Sequence, residues 1–469
     1  MDLHIRLEGR RRLSRQIHDA LRSRILDGRL RGGDRLPPTR ELAGRLGVSR
    51  NTVSLAYEWL VSEGLISGRT GAGSFVARAP VARSRARAAT AIRHRAVWDR
   101  AAARVQVEST PLYDFTAGVP DAEHFPFDAW RRLLAKQIRA SRLDAQYGDP
   151  AGHPALREAI ARHVAVSRGV DAEPEDIIVT AGAQQAFDLI ARVLIEPGDR
   201  VAVEEPGYPP PRLLFQSMGA TIVPVPVGDD GLDAGALPPT ARLVYVTPSH
   251  QFPLGMPMSH ERRTALLAWA ARRNAVIIED DYDSEFRFGG RPLETLQSLD
   301  RSGRVVYVGS FSKSLLPALR LGFLIAPPSL RRQLRAAAYV ASCFAQWPAQ
   351  SALASLIDSG LLARHIRRMR RIYAERHDLI LRTLTARFAE WLDPVPSVTG
   401  MHLTARLRSG RVTEERDLAR RALARGVRFD RLSKYCASAP QSGLVLGYGA
   451  IGSGKIEEAL RRLRACFVR

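Results

Sequence analysis

Lys313 is the residue whose type and surroundings point most directly to chemistry. It follows the apolar stretch 305–308 and lies in the serine-rich segment 310–314, and Arg320 comes seven residues later. Only four of the 70 basic residues are lysines. Arginine keeps its proton in a protein, whereas a lysine with a lowered pKa can form an imine with an aldehyde. The segment therefore holds the groups that pyridoxal 5'-phosphate (PLP) needs, although a surface lysine in a serine-rich turn would show the same pattern.

A cluster of acidic residues precedes this lysine. The predicted strand 275–278 runs into residues 279–283, four of which carry carboxylates. Such a cluster beside a buried strand is costly unless a positive group lies near it. A protonated pyridine nitrogen is such a group, and the carboxylate that keeps it protonated makes the ring an electron sink. Asp280 lies 33 residues before Lys313, one strand–helix–strand step, so we expect the two at neighbouring strand ends; a solvated acidic loop is the alternative.

The elements around these residues alternate between strand and helix from residue 112 onwards, which predicts an α/β fold with a largely parallel sheet. Further strands are predicted at the ranges 176–180, 200–203, 243–246 and 321–326. The turn 181–185 opens a helix, whose first N–H groups suit a phosphate. Tyr208 follows a strand end and is placed to stack on a flat ring, but a core tyrosine would fit the same pattern.

The first 78 residues have a different pattern. Helices are predicted at 13–28, 40–46 and 50–63, and a hairpin at 65–76. Thr39 and Ser49 are the predicted caps of the second and third helices. This order of elements defines an α+β winged helix-turn-helix, which presents the start of its third helix to the DNA major groove. Use of the fold for protein contacts is the alternative.

Charge is unevenly distributed along the 469 residues, whose net charge is +22. Residues 1–78 carry 15 arginines against 8 acidic residues, and residues 79–110 carry 7 against 2. This density favours a polyanionic partner at the N-terminal end. Residues 79–110 are rich in alanine and arginine without apolar periodicity, which predicts a flexible basic linker between residues 1–78 and 111–469.

Composition also excludes several classes of protein. The chain has no apolar run of about 18 residues, so no membrane span is expected, and its N-terminus lacks the apolar core of a signal peptide. Its three cysteines are far apart and none has metal-ligand spacing, so no metal site is predicted. Odd, widely separated cysteines fit a reducing cytoplasm.

The N-terminal segment GDRLPPTRELAGRLGVSRNTVSLAYEWLVSEGLISGRTGAGSFV closely resembles the DNA-binding domain of GntR-type bacterial transcription regulators. This resemblance implies that double-stranded promoter DNA is the partner. The DNA contacts that it implies are Arg40, Ser49, Arg50, Thr52, Thr70 and Gly71.

A second resemblance covers residues 112–469. The strings EPGY at 205–208, HQFPLG at 250–255, EDDYDSEFRF at 279–288 and SFSK at 310–313 are similar to those of fold-type I aminotransferases. The resemblance implies PLP as the cofactor, Lys313 as its Schiff-base lysine, Asp280 as the partner of the ring nitrogen and Tyr282 as the partner of the ring hydroxyl. It further implies ring stacking by Tyr208 and a position of Gly118 near the substrate. The phosphate contacts that it implies are Ala183, Gln184, Ser310, Arg320 and, across a homodimer, Tyr147.

A winged helix joined to an aminotransferase-like domain resembles the MocR subfamily of GntR regulators. This resemblance implies a homodimeric regulator in which PLP, or its adduct with an amino compound, modulates promoter binding. A catalytically active aminotransferase with an accessory DNA-binding arm is the alternative. Against it, residues 443–449 lack the arginine that such enzymes usually place on a late strand to bind the substrate carboxylate, so we expect no steady turnover, although a slow half-reaction is compatible. Arg428, Arg431 and Lys434 are the nearest substitutes.

Overall fold

The chain divides into two compact units, Met1–His94 and Arg95–Arg469. The structure, a computed structural model, describes residues 5, 7, 9, 12–69, 73–77, 93–102, 111–139, 146–289 and 294–467. No helix in these ranges is both long enough and apolar enough to cross a membrane.

The first unit is a small helical domain with a hairpin. Its elements are α1 (Leu13–Leu26), α2 (Thr39–Leu46), α3 (Arg50–Ser62), β1 (Ile66–Arg69) and β2 (Gly73–Val76). The two strands pair antiparallel. Ile17, Leu21 and Leu60 are completely buried in its core, and each such side chain stabilises the fold by about 1.5–3 kcal/mol.

The predicted winged helix-turn-helix is confirmed by this order of elements. Ser49 is the N-cap of α3, and its hydroxyl accepts a hydrogen bond from the N–H of Thr52 at 3.2 Å. Thr39, predicted as a cap, is instead the first residue of α2, because the rigid backbone of Pro38 occupies the cap position.

The second unit contains the remaining elements. Its helices are α4 (Val97–Ala102), α5 (Phe127–Gln137), α6 (Pro154–Arg168), α7 (Ala183–Leu194), α8 (Pro209–Ser217), α9 (His260–Arg273), α10 (Leu296–Leu299), α11 (Arg331–Ser342), α12 (Trp347–Asp358), α13 (Leu361–Arg387), α14 (Val412–Ala424) and α15 (Ser453–Arg464). Its strands are β3 (Tyr113–Phe115), β4 (Ile177–Thr180), β5 (Arg200–Glu205), β6 (Thr221–Gly228), β7 (Gly231–Leu232), β8 (Ala241–Val246), β9 (Val276–Asp281), β10 (Val305–Ser310), β11 (Gly322–Ile325), β12 (Leu392–Pro394), β13 (His402–Leu407), β14 (Val427–Arg431) and β15 (Gly443–Gly447).

The large sheet has the strand order β4-β11-β10-β9-β8-β5-β6-β7. The pairs from β10 through β9, β8 and β5 to β6 are parallel, which confirms the predicted α/β architecture. All six residues of β10 are buried, as expected for a central strand covered by helices on both faces. The carboxyl ends of the parallel strands meet at one edge of the sheet, where open α/β sheets bind ligands.

A second sheet of five strands, in the order β12-β13-β15-β14-β3, carries the C-terminal part of the chain. Strand β15 lies between β13 and β14 and pairs antiparallel with both. All five of its residues are buried. The late strand singled out in the sequence is therefore a core strand of this smaller sheet.

Part of the predicted linker is ordered on the second unit. Within residues 79–110 the structure describes only 93–102, and this stretch contains helix α4, which contacts α8. Arg95 donates a hydrogen bond to the carbonyl oxygen of Ser217 at 2.5 Å. The compact second unit accordingly begins at Arg95, earlier than the predicted domain start at residue 111.

Candidate functional site

A cavity of about 1240 Å³ opens at the carboxyl ends of the parallel strands. Its walls come from the large sheet on one side and from α14, β14 and the following turn on the other. Nearly all of the large-domain residues predicted for a site line it: Gly118, Ala183, Gln184, Tyr208, Asp280, Tyr282, Ser310, Lys313 and Arg320. The structure thus brings together residues that are up to about 200 positions apart in the sequence.

Lys313 enters this cavity just after the end of β10. Its Nζ donates a hydrogen bond to the carbonyl oxygen of Gly118 at 2.6 Å. Burial lowers the pKa of Lys313, and the charges of Asp283 and Asp280 only partly oppose this. A lowered pKa increases the fraction of neutral amine, which is the form that attacks an aldehyde.

Asp280 lies next to this lysine because β9 and β10 are adjacent parallel strands, in which Asp280 is opposite Val308. Tyr245 on β8 donates a hydrogen bond to its Oδ2 at 2.5 Å, whereas its Oδ1 is buried without a partner among the described residues. Burial raises the pKa of Asp280 to about 7, against the opposing effect of the Tyr245 hydrogen bond. A buried carboxylate with one unpartnered oxygen fits a protonated ring nitrogen.

The neighbouring carboxylates have other partners. Asp281 accepts from Arg168 Nε and from the Tyr307 hydroxyl, both at 2.6 Å. Asp283 lies 2.8 Å from Nδ1 of His250. The Glu279 side chain accepts from two backbone N–H groups at the start of α10. Asp280 is therefore the one carboxylate of this cluster that lines the cavity in the described part of the chain, because alternate residues of β9 face opposite sides of the sheet.

A candidate anion site in the cavity lies at the start of α7. Gly182, with a φ of 83°, precedes α7, so that Ala183 and Gln184 are the first two residues of that helix. The guanidinium of Arg320 donates to the carbonyl oxygen of Ala181 beside this helix start. A Cβ at position 182 would come within 3.0 Å of the Arg320 side chain, so this close approach requires glycine. Helix N–H groups, the Ser310 hydroxyl and one guanidinium together fit a phosphate.

The three predicted tyrosines have different positions. Tyr208 lines the cavity and is 37% exposed. Tyr282 also lines the cavity, but its hydroxyl already contacts His250, at 2.9 Å from the carbonyl oxygen and 3.0 Å from Nδ1. Tyr147 lies outside the cavity, is 83% exposed and packs its ring against Phe344. Such exposure fits a residue that reaches a second subunit.

Four basic residues of the wall opposite the sheet line the cavity: Arg420 of α14 and the three predicted substitutes, Arg428, Arg431 and Lys434. Lys434 pairs with Asp430 at 2.8 Å, and Arg428 lies 3.9 Å from Asp114. The side chain of Arg431 has no hydrogen bond or ion pair with any described residue. The late stretch that lacks an arginine in the sequence forms β15, which consists of apolar residues and glycine.

Several residues that line the cavity were not identified as site residues from the sequence. Tyr245 was not singled out, although its place on β8, one residue before the end of the strand, was a usable signal. Phe252 and His402 also line the cavity. His402 lies on β13, more than 80 residues after Lys313, and no local spacing in the sequence connects the two.

The predicted DNA contacts of the first unit lie at the starts of its second and third helices. Arg40 is the second residue of α2 and Arg50 the first of α3, and both are exposed. Neither has an ion pair with a described residue. The Ser49 and Thr52 hydroxyls lie 2.8 Å apart, so each is partly engaged in the cap of α3. Thr70 and Gly71 lie outside the described residues.

Comparison with known proteins identifies the family of each of the two units. The family of bacterial regulatory proteins called gntR matches residues 13–76, and aminotransferase class I and II matches residues 110–444. The probable rhizopine catabolism regulatory protein MocR of Rhizobium meliloti is 41% identical, over 97% of this chain and 94% of that protein. The pyridoxine biosynthesis regulator PdxR of Corynebacterium glutamicum is 34% identical, over 93% and 91%.

A solved structure is similar to the second unit. LysN, an α-aminoadipate aminotransferase from Thermus thermophilus in complex with N-(5'-phosphopyridoxyl)-L-leucine, superposes with a TM-score of 0.70 at 29% identity. The match covers 79% of this chain and 97% of LysN.

A winged helix-turn-helix joined to an aminotransferase fold with a lysine–aspartate cavity defines a class of DNA-binding transcription regulators. Given its similarity to MocR over nearly the whole length of both chains, the protein belongs to the MocR subfamily of the gntR family. PLP is the cofactor that its second unit is built to bind.

Proposed function

We propose that this regulator senses PLP, or an amino compound that reacts with PLP, and converts that binding into a change in promoter affinity. The observation that carries the proposal is the placement of Lys313 and the unpartnered Oδ1 of Asp280 in one cavity, at the ends of adjacent parallel strands. PLP supplies an aldehyde that bonds amines and a ring that withdraws electrons.

Each lining residue has a distinct role in this proposal. Lys313 supplies the amine, and Asp280 holds a proton on the ring nitrogen. Tyr208 covers one face of the ring. The start of α7 binds the phosphate together with Ser310 and Arg320, while Arg431 offers a cation to an acidic group of the amino compound.

We propose that the working molecule is a cytoplasmic homodimer, because bacterial promoters lie in the cytoplasm and GntR-type winged helices meet two half-sites. Residues 1–78 bind DNA, and the compact second unit, Arg95–Arg469, binds PLP and pairs. In this dimer Tyr147 contacts the phosphate of the PLP that is bound to the other subunit. The high exposure of its side chain supports this role.

One observation supports the alternative, an active aminotransferase with a DNA-binding arm. The groups needed for cofactor chemistry are all present, and basic residues line the wall opposite them. We expect no sustained turnover, because β15 lacks the arginine of working enzymes. Transamination at about 1 per second or faster would favour the alternative.

An absorbance titration with PLP tests the proposal. Wild-type protein is expected to develop the visible band of lysine-bound PLP, and Lys313→Ala is expected to lack it. Lys455→Ala is the matched control, since Lys455 is an exposed lysine on α15. Loss of the band in both variants, or in neither, would contradict the assignment of Lys313.

A further inference from the structure

The first half of helix α13 carries an arginine stripe that the function proposed above does not use. The stripe consists of four exposed arginines on one face of the helix, Arg364, Arg367, Arg368 and Arg371. At 3.6 residues per turn these four positions fall within an arc of about 100°. The opposite face holds the buried side chains that pack α13 onto the second unit, among them Ile366 and Tyr373. The stripe therefore faces solvent.

The charge of the stripe is not neutralised by the described part of the second unit. None of its four side chains has an ion pair or hydrogen bond with a described residue, and the range 361–374 contains no aspartate or glutamate. Glu375 follows on the same face but makes no ion pair with Arg371. Exposed arginines on two other helices do pair with a carboxylate three or four residues away, namely Arg192 with Asp188 and Arg461 with Glu458.

Four unpaired cations at this place destabilise the helix that carries them. Arg364 and Arg368 are four residues apart, as are Arg367 and Arg371, and like charges at this spacing repel each other. Arg364 also lies in the first turn of α13, at the positive end of the helix dipole, where a cation is unfavourable. Helix stability therefore does not account for the stripe, whereas a bound polyanion would offset the repulsion.

Duplex DNA is the polyanion that fits best, because the first unit of the same chain belongs to the gntR family of regulatory proteins. The stripe spans seven residue steps, which is about 10 Å of helix. B-DNA carries one negative charge per about 1.7 Å of its axis, so about six phosphates lie along this length. Arginine binds phosphate through paired N–H groups and needs no contact with a base. Charge, spacing and donor type thus match the DNA backbone.

We propose that the arginine stripe of α13 is a second DNA-binding surface, which contacts the phosphate backbone outside the sequence that the winged helix reads. Phosphate contacts add affinity but carry no sequence information. The winged helix therefore supplies the specificity, and the stripe supplies part of the affinity for any duplex. The stripe lies outside the residues that line the cavity, so this affinity requires no PLP.

A salt series with a labelled random-sequence duplex, without PLP, tests the proposal on the full-length protein. The stripe variant replaces all four arginines with glutamine: Arg364→Gln, Arg367→Gln, Arg368→Gln and Arg371→Gln. With a duplex of about 50 base pairs in about 0.1 M salt, we expect its affinity to fall about tenfold or more. The slope of log affinity against log salt should become smaller by about two to four, because each neutralised phosphate contributes about 0.9.

The control variant removes the same number of charges elsewhere on the second unit. It replaces with glutamine four exposed arginines that likewise have no ion pair among the described residues, Arg242, Arg272, Arg273 and Arg301. We expect its affinity to stay within about threefold of wild type. Equal losses in the two variants would overturn the proposal, because only net charge would matter. No loss in the stripe variant would also overturn it and would assign the stripe to an acidic protein partner.

Two further measurements separate the stripe from the winged helix and from stability. When Arg50→Ala is added to the stripe variant, the two losses should multiply, because the surfaces are separate. A combined loss no larger than that of Arg50→Ala alone would contradict a second surface. The stripe variant should melt at or above the wild-type temperature, because repulsion between like charges is removed. A lower melting temperature would mean that the arginines stabilise the fold, and the proposal would be wrong.

Discussion

At the residue scale, the four carboxylates of residues 279–283 differ because their surroundings differ. Asp281 is held by Arg168, whose Nε lies 2.6 Å from its Oδ2. Asp280 has only a phenol for a partner, and burial raises its pKa to about 7. Without a cationic ligand, the buried Asp280 carboxylate therefore lowers the stability of the folded protein, and a protonated ring nitrogen offsets this destabilisation.

Asp280→Asn is expected to separate stability from cofactor binding. The amide keeps the shape and the Tyr245 contact but removes the buried charge, so the apoprotein should become more stable at pH 8, by on the order of 1–4 kcal/mol. PLP affinity should fall about 10- to 100-fold, because a charge-assisted hydrogen bond is lost. Asp128→Asn, at an exposed carboxylate on α5, is the control. Thermal melts and PLP titrations measure both effects.

We also expect the stability of the Asp280→Asn apoprotein to depend less on pH than that of wild type. The pKa of Asp280 is raised, so the folded apoprotein binds its proton more tightly than the unfolded chain does. Its contribution to stability is therefore lost as pH rises from about 4 to about 7. In melts across this window Asp280→Asn should show a smaller decline than wild type. An identical decline would mean that Asp280 is ionised throughout.

The identity of the cavity carboxylate shows the limit of sequence reasoning at this scale. The composition of residues 279–283 predicted a cation-binding cluster, but the alternation of β9 and the positions of Arg168 and His250 decide that Asp280 is the carboxylate that lines the cavity. Arg168 lies more than 100 residues from Asp281 in the sequence, so no local pattern connects them.

At the element scale, helix starts and strand ends carry the functional groups. Apolar periodicity predicted the three helices of the first unit and six of the eight strands of the large sheet, because these depend on short-range spacing, but it did not predict β6 and β7. The second sheet includes the cavity wall formed by β14. It depends on pairing between residues 113–115 and 427–429, which are about 300 positions apart, and apolar periodicity cannot predict such a long-range pairing.

Arg50 at the start of α3 is expected to contact DNA. Arg50→Ala should weaken operator binding by about 1–3 kcal/mol and reduce the slope of log affinity against log salt by about one. Arg15→Ala, at an exposed position on α1, removes the same charge as a control. Equal effects of the two variants would mean that only the overall charge of the domain matters.

Arg431 at the end of β14 is expected to bind an acidic group of the effector. Among Arg428, Arg431 and Lys434, only the side chain of Arg431 has no ion pair or hydrogen bond with a described residue, so its charge is available. Arg431→Gln should leave PLP binding unchanged but weaken the response to the amino compound about 10- to 100-fold. Lys434→Gln, which breaks an existing pair with Asp430, should have a smaller effect. Calorimetry with PLP-loaded protein measures the affinity of both variants for the amino compound. A larger loss in Lys434→Gln than in Arg431→Gln would show that Lys434, and not Arg431, binds the acidic group.

At the scale of the whole molecule, two separately folded units are joined in one chain. A ligand in the second unit alters DNA binding only if it binds one arrangement of the molecule better than another. Resemblance to known families predicted this organisation from the sequence. The boundary at Arg95 was not predicted, because the alanine- and arginine-rich composition of α4 gives no apolar periodicity.

The most direct test of the central claim is a titration of operator DNA with and without saturating PLP, on wild type and Lys313→Ala. We predict a PLP-dependent change of about 5- to 150-fold in wild type, the usual range for coupled sites. The response should be absent in Lys313→Ala, whose DNA affinity without PLP should equal that of wild type. A wild-type response in Lys313→Ala would contradict the claim that the bond to Lys313 is the signal and would assign that role to noncovalent PLP. Wild-type affinity that ignores PLP altogether would contradict the coupling itself.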